Sequence, residues 1–159
     1  MVLENKLIIT EKPQLVYLDI ESTGFVGSEI IQIAVKCNSD EFSAYIMPSK
    51  NIPPHITDLT GIKLYNGTLV VDSSPVLTLS PRQAANEFLS YLKNFGENII
   101  LAAHNCFTFD GPMILQFMQE VDVIDEFSLI VKGFTDTLPV MKKHLKDRTK
   151  AKKRFKRKR

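Results

Sequence analysis

The chain has 159 residues, 44% of them hydrophobic, which suits one globular domain built on a single core. No run of about 18 apolar residues offers a membrane span, and the start, MVLENKLIIT, lacks the charged-then-apolar order of a secretory leader, so a protein that is neither membrane-bound nor secreted is expected. Cys37 and Cys106 make no disulfide framework and point to a reducing compartment, while the net charge of +2 is too small to imply a partner by itself.

The first element is a strand, about residues 14–20, in VYLDIESTGF. Asp19 and Glu21 lie two apart and so share a face. GSEIIQIAVKC gives a second strand over about 30–37 and EFSAYIMP a third over about 41–47; short links predict an antiparallel meander. IPPHITDLTGI opens with Pro53 and Pro54, the start of a short helix. Residues 66–79 show no clear period and read as a loop. SPRQAANEFLSYLKNFG is the clearest helix, with Ser80 as N-cap, Pro81 in its first turn, Gly96 after its end, and Ala84, Ala85, Phe88, Leu89, Leu92 and Phe95 as its buried face. NIILAA is a strand over about 98–103, HNCFTFD a turn, and GPMILQFMQEV a helix that Asp110 can cap. FSLIVKGF reads as a last strand and DTLPVMKKHL as the start of a last helix.

The order β-β-β-α-β-α-β-α predicts a mixed sheet, antiparallel at one side, with helices on its faces. The chain ends in KKHLKDRTKAKKRFKRKR, where residues 142–159 carry a net +11 against −9 for residues 1–141. Such a block stays solvated and reads as a nuclear address, a nucleic-acid patch or a plain solubilising end. The expected organisation is a folded domain over residues 1–146 and a basic tail over 147–159, in the nucleus or the cytoplasm.

Asp19 and Glu21 carry the chemistry. Two ionised carboxylates side by side repel, and burial adds several kcal/mol. A hard divalent cation, Mg²⁺ or Mn²⁺, removes both costs, and two such ions about 3.5–4 Å apart can clamp a phosphodiester. Strand-end acids facing solvent remain the plainer reading. Asp110 can approach the pair from the end of a neighbouring strand, or can be only a helix N-cap. STGF adds a bend at Gly24 and backbone N–H groups suited to a phosphate. His104 and Asn105 lie in the second turn and can fix its shape.

LDIESTGF resembles the first motif of the DEDD exonucleases of the DnaQ and three-prime repair type, and AHNCFTFDGPMIL resembles the second. PPHITDLTGI is similar to the segment between them, with Asp58 where that group often has Gly, and GFTDTLPVMKKHL to the segment that follows the second motif. The resemblance implies a ribonuclease-H-like fold: a mixed five-stranded sheet with helices on both faces, here truncated at the C-terminal end. It implies removal of nucleotides from the free 3′ end of a nucleic acid, single-stranded by expectation, through a two-metal site of Mg²⁺ or Mn²⁺. Asp19, Glu21 and Asp110 match three of the four metal-binding acids. Thr23, Gly24 and Phe25 would line the 3′-terminal nucleotide, Leu59 and Ile62 would wedge against terminal bases, and His104 and Asn105 would shape the site.

The family's third motif, H-x-x-x-x-D, supplies the general base and the fourth acid, and it does not occur here. The position five after each histidine (His55, His104, His144) holds Thr60, Phe109 and Thr149. His144 and Asp147 form H-x-x-D instead. Three readings follow: an exonuclease with another base, a non-catalytic module binding nucleic acid or protein, and a fragment of a larger exonuclease gene. Impaired hydrolysis and a partly bare sheet face are expected.

Overall fold

The computed structural model describes residues 12–25 and 27–145; the tail proposed for 147–159 lies outside the described residues. Strands β1 (Gln14–Ser22), β2 (Ile30–Cys37) and β3 (Asp40–Ile46) form the expected meander. β8 (Ile99–Ala103) lies parallel to β1, and β9 (Val131–Asp136) parallel to β8. A two-residue strand, β7 (Thr78–Leu79), pairs with β3, so the mixed sheet has six strands rather than five, in the order β7-β3-β2-β1-β8-β9. Because β1, β8 and β9 are parallel, their carboxyl ends meet at one edge, where ligands of such sheets usually bind.

Val16, Leu18 and Ile20 alternate along β1 and are buried, as the period of two requires. They meet Ile33 and Val35 of β2 and the helices α2 (Pro81–Lys93), α3 (Asp110–Glu120) and α4 (Ile124–Ile130) in one core. α2 starts as read: Ser80 accepts from the Gln83 N–H while the Gln83 side chain accepts from Ser80, a capping box. Phe88, Leu89 and Leu92 bury its inner face, at about 2–3 kcal/mol each, and Tyr91 stacks on Phe42 of β3, ring centroids 5.5 Å apart.

Two expectations fail. Residues 66–79 are not a loop. β4 (Ile62–Tyr65), β5 (Thr68–Val71) and β6 (Ser74–Pro75) form a second, three-stranded sheet. Its hairpins turn at Asn66-Gly67 and Asp72-Ser73, all four residues at positive φ, as two-residue type I′ turns demand. FSLIVKGF is also not one strand. Residues 124–130 form α4, because Phe127 and Ile130, three apart, are buried while Leu129 between them is exposed.

The second sheet and α1 (Pro54–Thr60) cover part of the sheet's other face. Ile31, Ile52, Ile62 and Leu69 form a separate small core there, with Tyr45 and Ile56 against it. Among the described residues the rest of that face is partly open: Tyr17 is 53% exposed and Leu15 39%. Residues 137–145 are helical and expose Val140, Met141 and Leu145. Among the described residues no helix is long and apolar enough to cross a membrane.

Candidate functional site

Asp19 and Glu21 sit near the carboxyl end of β1, on the face that carries Leu15 and Tyr17. Their side of the strand is the open one: Asp19 is exposed and Glu21 half-buried, opposite to the buried face of Val16, Leu18 and Ile20. Glu21 is half-buried, and that burial, with the charge of Asp19, pushes its carboxyl above the usual range.

Asp110 reaches the same place from the next strand. It is the first residue of α3 rather than its N-cap: the cap is Phe109, with no side-chain bond. The Asp110 side chain therefore does not serve as the cap of α3. It is only 4% exposed. Burial raises its carboxyl to about 6, with the charges of Asp19 and Asp136 adding to the rise and the N–H groups of Asp110 and Ile20 opposing it.

The turn before α3 is built by short-range bonding. Asn105 takes φ 63°, a conformation Asn tolerates, and its carbonyl accepts from Thr108 and Phe109. The Cys106 carbonyl accepts from the Gly111 N–H at 2.8 Å, and a Cβ on residue 111 would stand 2.9 Å from that oxygen. Only glycine lets the helix start so close to the turn. His104 Nδ1 lies 3.3 Å from the Thr137 hydroxyl, which donates to the Ala103 carbonyl. His104 and Asn105 therefore shape the turn, and neither lines the groove described next.

Beside the acids a cavity of about 170 Å³ runs between the bend after β1 and α1. Glu21, Ser22, Gly24 and Phe25 form one wall, Ile56, Leu59 and Thr60 the other, and Phe109 joins them from the Asp110 turn. Phe25 and Leu59 are 86% and 81% exposed and stand on facing walls of this cavity, so together they offer it an apolar surface. Thr23 holds the bend instead of lining it: its N–H donates to the Glu29 carbonyl and its hydroxyl accepts from the Glu29 N–H, so the Thr23 N–H is not available to a phosphate. Ile62 is 1% exposed, inside the small core, and does not wedge into the groove. Phe109 and Ile56 were missed in the sequence; Phe109 adjoins the motif aspartate, and Ile56 lies one helical turn before Leu59.

Asp19, Glu21 and Asp110 offer the hard oxygens and uncompensated charge that suit Mg²⁺ or Mn²⁺. They lack a finished geometry: among the described residues no group of three or more His, Cys, Asp or Glu side chains is placed to hold a metal ion.

Residues 14–158 match the Exuperantia RNAse H-like domain. The chain belongs to that family. Maternal protein exuperantia of Drosophila melanogaster is 26% identical over 147 residues, 84% of this chain and 28% of that protein. DNA polymerase III PolC-type of Clostridium perfringens (strain 13 / Type A) is 32% identical over 136 residues, 80% of this chain and 8% of that protein. The fold matches E. coli exonuclease I in complex with single-stranded DNA with a TM-score of 0.63, at 14% identity, over 82% of this chain and 29% of that one. The Exuperantia RNase H-like domain is thus a relative of the DnaQ-like exonucleases, and the ribonuclease-H-like reading of the sequence holds. This chain spans less than a third of the exuperantia proteins it matches.

Proposed function

We propose that this domain binds the 3′-terminal nucleotides of a single-stranded nucleic acid and hydrolyses them slowly or not at all. The groove beside Asp19, Glu21 and Asp110 carries the reading, because it presents two exposed apolar side chains, Phe25 and Leu59, next to the carboxyls. Aromatic and apolar faces stack on any base, which gives single-strand binding with little sequence preference. The PolC-type relative and the single-strand-bound exonuclease I support the substrate class.

A bound Mg²⁺ or Mn²⁺ would supply positive charge to screen the acids and meet a phosphate. Asp19, Glu21 and Asp110 are the residues to hold it. The groove walls orient the terminal sugar and base, and the glycine at 111 lets Asp110 sit close to β1. No H-x-x-x-x-D pair is present to provide the family's general base, and losing a base costs about 10²–10⁴-fold in rate.

Fluorescence anisotropy with the full chain tests the reading. A single strand with a free 3′ hydroxyl should bind more tightly than the same strand with its 3′ end closed in a hairpin, in the presence of Mn²⁺. Equal affinity for both would reject 3′-end recognition. Robust release of nucleotides from a 3′-labelled strand, lost on Asp19→Ala, would reject the impaired-hydrolysis half and favour a working exonuclease.

A further inference from the structure

Asp136 has no role in the reading above, yet it makes more backbone bonds than any other side chain around the site. Its Oδ1 accepts from the Asn105 N–H at 3.0 Å and from the Leu138 N–H at 2.8 Å; its Oδ2 accepts from the Phe107 N–H at 3.4 Å. Burial pushes its carboxyl up, but the N–H groups of Leu138, Phe107, Asn105 and Cys106 together hold it below the usual carboxylate range. Leu138 lies in the first turn of the helix over 137–145, so one carboxylate both caps that helix and grips the turn that leads to Asp110. The neighbouring Thr137 adds a second tie, through its contacts with His104 and Ala103. Asp136 also pairs in register with Ala103, the last residue of β8, which places it directly beside the turn.

We propose that Asp136 is a positioning residue: by tying the 104–109 turn to the start of the last helix, it makes the seat of Asp110 against β1 depend on that helix being in place. A helix cap needs one oxygen and one N–H. Asp136 uses both oxygens, and its extra partners all belong to the turn. The exposed apolar side of the 137–145 helix, with Met141 and Leu145, then connects to the site through this carboxylate, with the bond from the Thr137 hydroxyl to the Ala103 carbonyl beside it.

Two variants of the full chain separate cap from clamp. Asp136→Ser keeps an oxygen for the Leu138 N–H and cannot also span to Asn105 and Phe107. Asp136→Asn keeps the Oδ1 position as an acceptor and loses the bond to Phe107. Amide hydrogen exchange by NMR reads both, without any ligand. In Asp136→Ser, exchange at Asn105, Phe107 and Ile20 should rise about tenfold or more, the scale of one lost charge-assisted bond, with Leu138 near wild type. Asp136→Asn should move Phe107 alone and restore Ile20; it carries the test if the serine variant fails to fold. Unchanged exchange at Asn105 and Phe107 in either variant overturns the clamp, and unchanged exchange at Ile20 in Asp136→Ser overturns the link to Asp110. The second readout rests on the proposed 3′-end binding: affinity for a 3′-hydroxyl strand should fall in Asp136→Ser and recover in Asp136→Asn. Wild-type chain that binds no 3′ end would reject that function while the exchange pattern still decides the clamp.

Discussion

Asp110→Asn should make the protein more stable at neutral pH. The wild-type carboxyl is buried, faces Asp19 and Asp136, and titrates at about 6 instead of the ordinary 3.8. Its folded value lies above its unfolded one, so the folded chain holds the proton more tightly. The cost of ionising it is absent below pH 3.8, grows between 3.8 and about 6, and is fully present above. At 1.36 kcal/mol for each pH unit of displacement, that cost is about 3 kcal/mol at its upper bound. Asparagine keeps the shape and an acceptor for the Ile20 N–H while removing the charge. Thermal unfolding of both proteins should give the variant a gain of about 1–3 kcal/mol at pH 8, a Tm higher by about 3–10 °C, and no gain at pH 4. A variant that is equally stable or less stable at pH 8, or one whose advantage persists at pH 4, would refute the account in which burial, aided by the neighbouring carboxylates, makes ionised Asp110 costly.

The other predictions concern the groove, the metal and the tail. Phe25→Ala and Leu59→Ala should each weaken 3′-end binding about tenfold, read by anisotropy, with little change in Tm because both side chains are exposed. Ile62→Ala should do the reverse: a loss of about 2–4 kcal/mol in denaturant unfolding, from the cavity it leaves in the small core, with affinity per folded molecule unchanged. Because the carboxyls are not gathered into a finished site, Mn²⁺ should raise the wild-type Tm at pH 7.5 only at millimolar concentration, and it should have little effect on Asp19→Asn, which removes one of the oxygens it would use. For the basic block, replacing its lysines and arginines with serine in a fluorescent fusion should abolish nuclear accumulation; retained accumulation would rule out a nuclear address.

The parts of the fold that could be read directly were those in which local chemistry and burial agree. α2 carried a cap, a proline and a helical apolar stripe, and all three proved real. β1 alternated cleanly because one of its faces is the core, whereas β2 read as an apolar run because Ile30 and Ile31 bury into two different cores. The second sheet was missed although Asn66-Gly67 lies between LY and TLVV, a strong two-residue hairpin signal; its next turn, Asp72-Ser73, lacks glycine and its last strand is only two residues long. α4 was misread because Phe, Leu, Ile and Val in a row suit a strand as well as a buried helix, and only packing separates them. In the site, Asp19, Glu21 and Asp110 were found through their motif spacing. Asp136 lay inside GFTDTLPVMKKHL, the segment matched after the second motif, but it was given no role there, because an aspartate at a strand end before a threonine looks like any helix cap. Ile62 was wrongly aimed at substrate because its neighbour Leu59 does face the groove, and the tight turn at Gly61, φ 72°, sends the chain into β4, whose first residue, Ile62, points into the small core.

The most direct test of the account places a photoreactive base at the 3′-terminal position of a single strand, crosslinks it to the full chain with Mn²⁺ present, and maps the modified peptides. The groove account predicts crosslinks at Phe25, Leu59 or Phe109 that disappear when the photoreactive base is moved to the 5′ end. Crosslinks confined to residues 147–159, or the same map from either end of the strand, would contradict it.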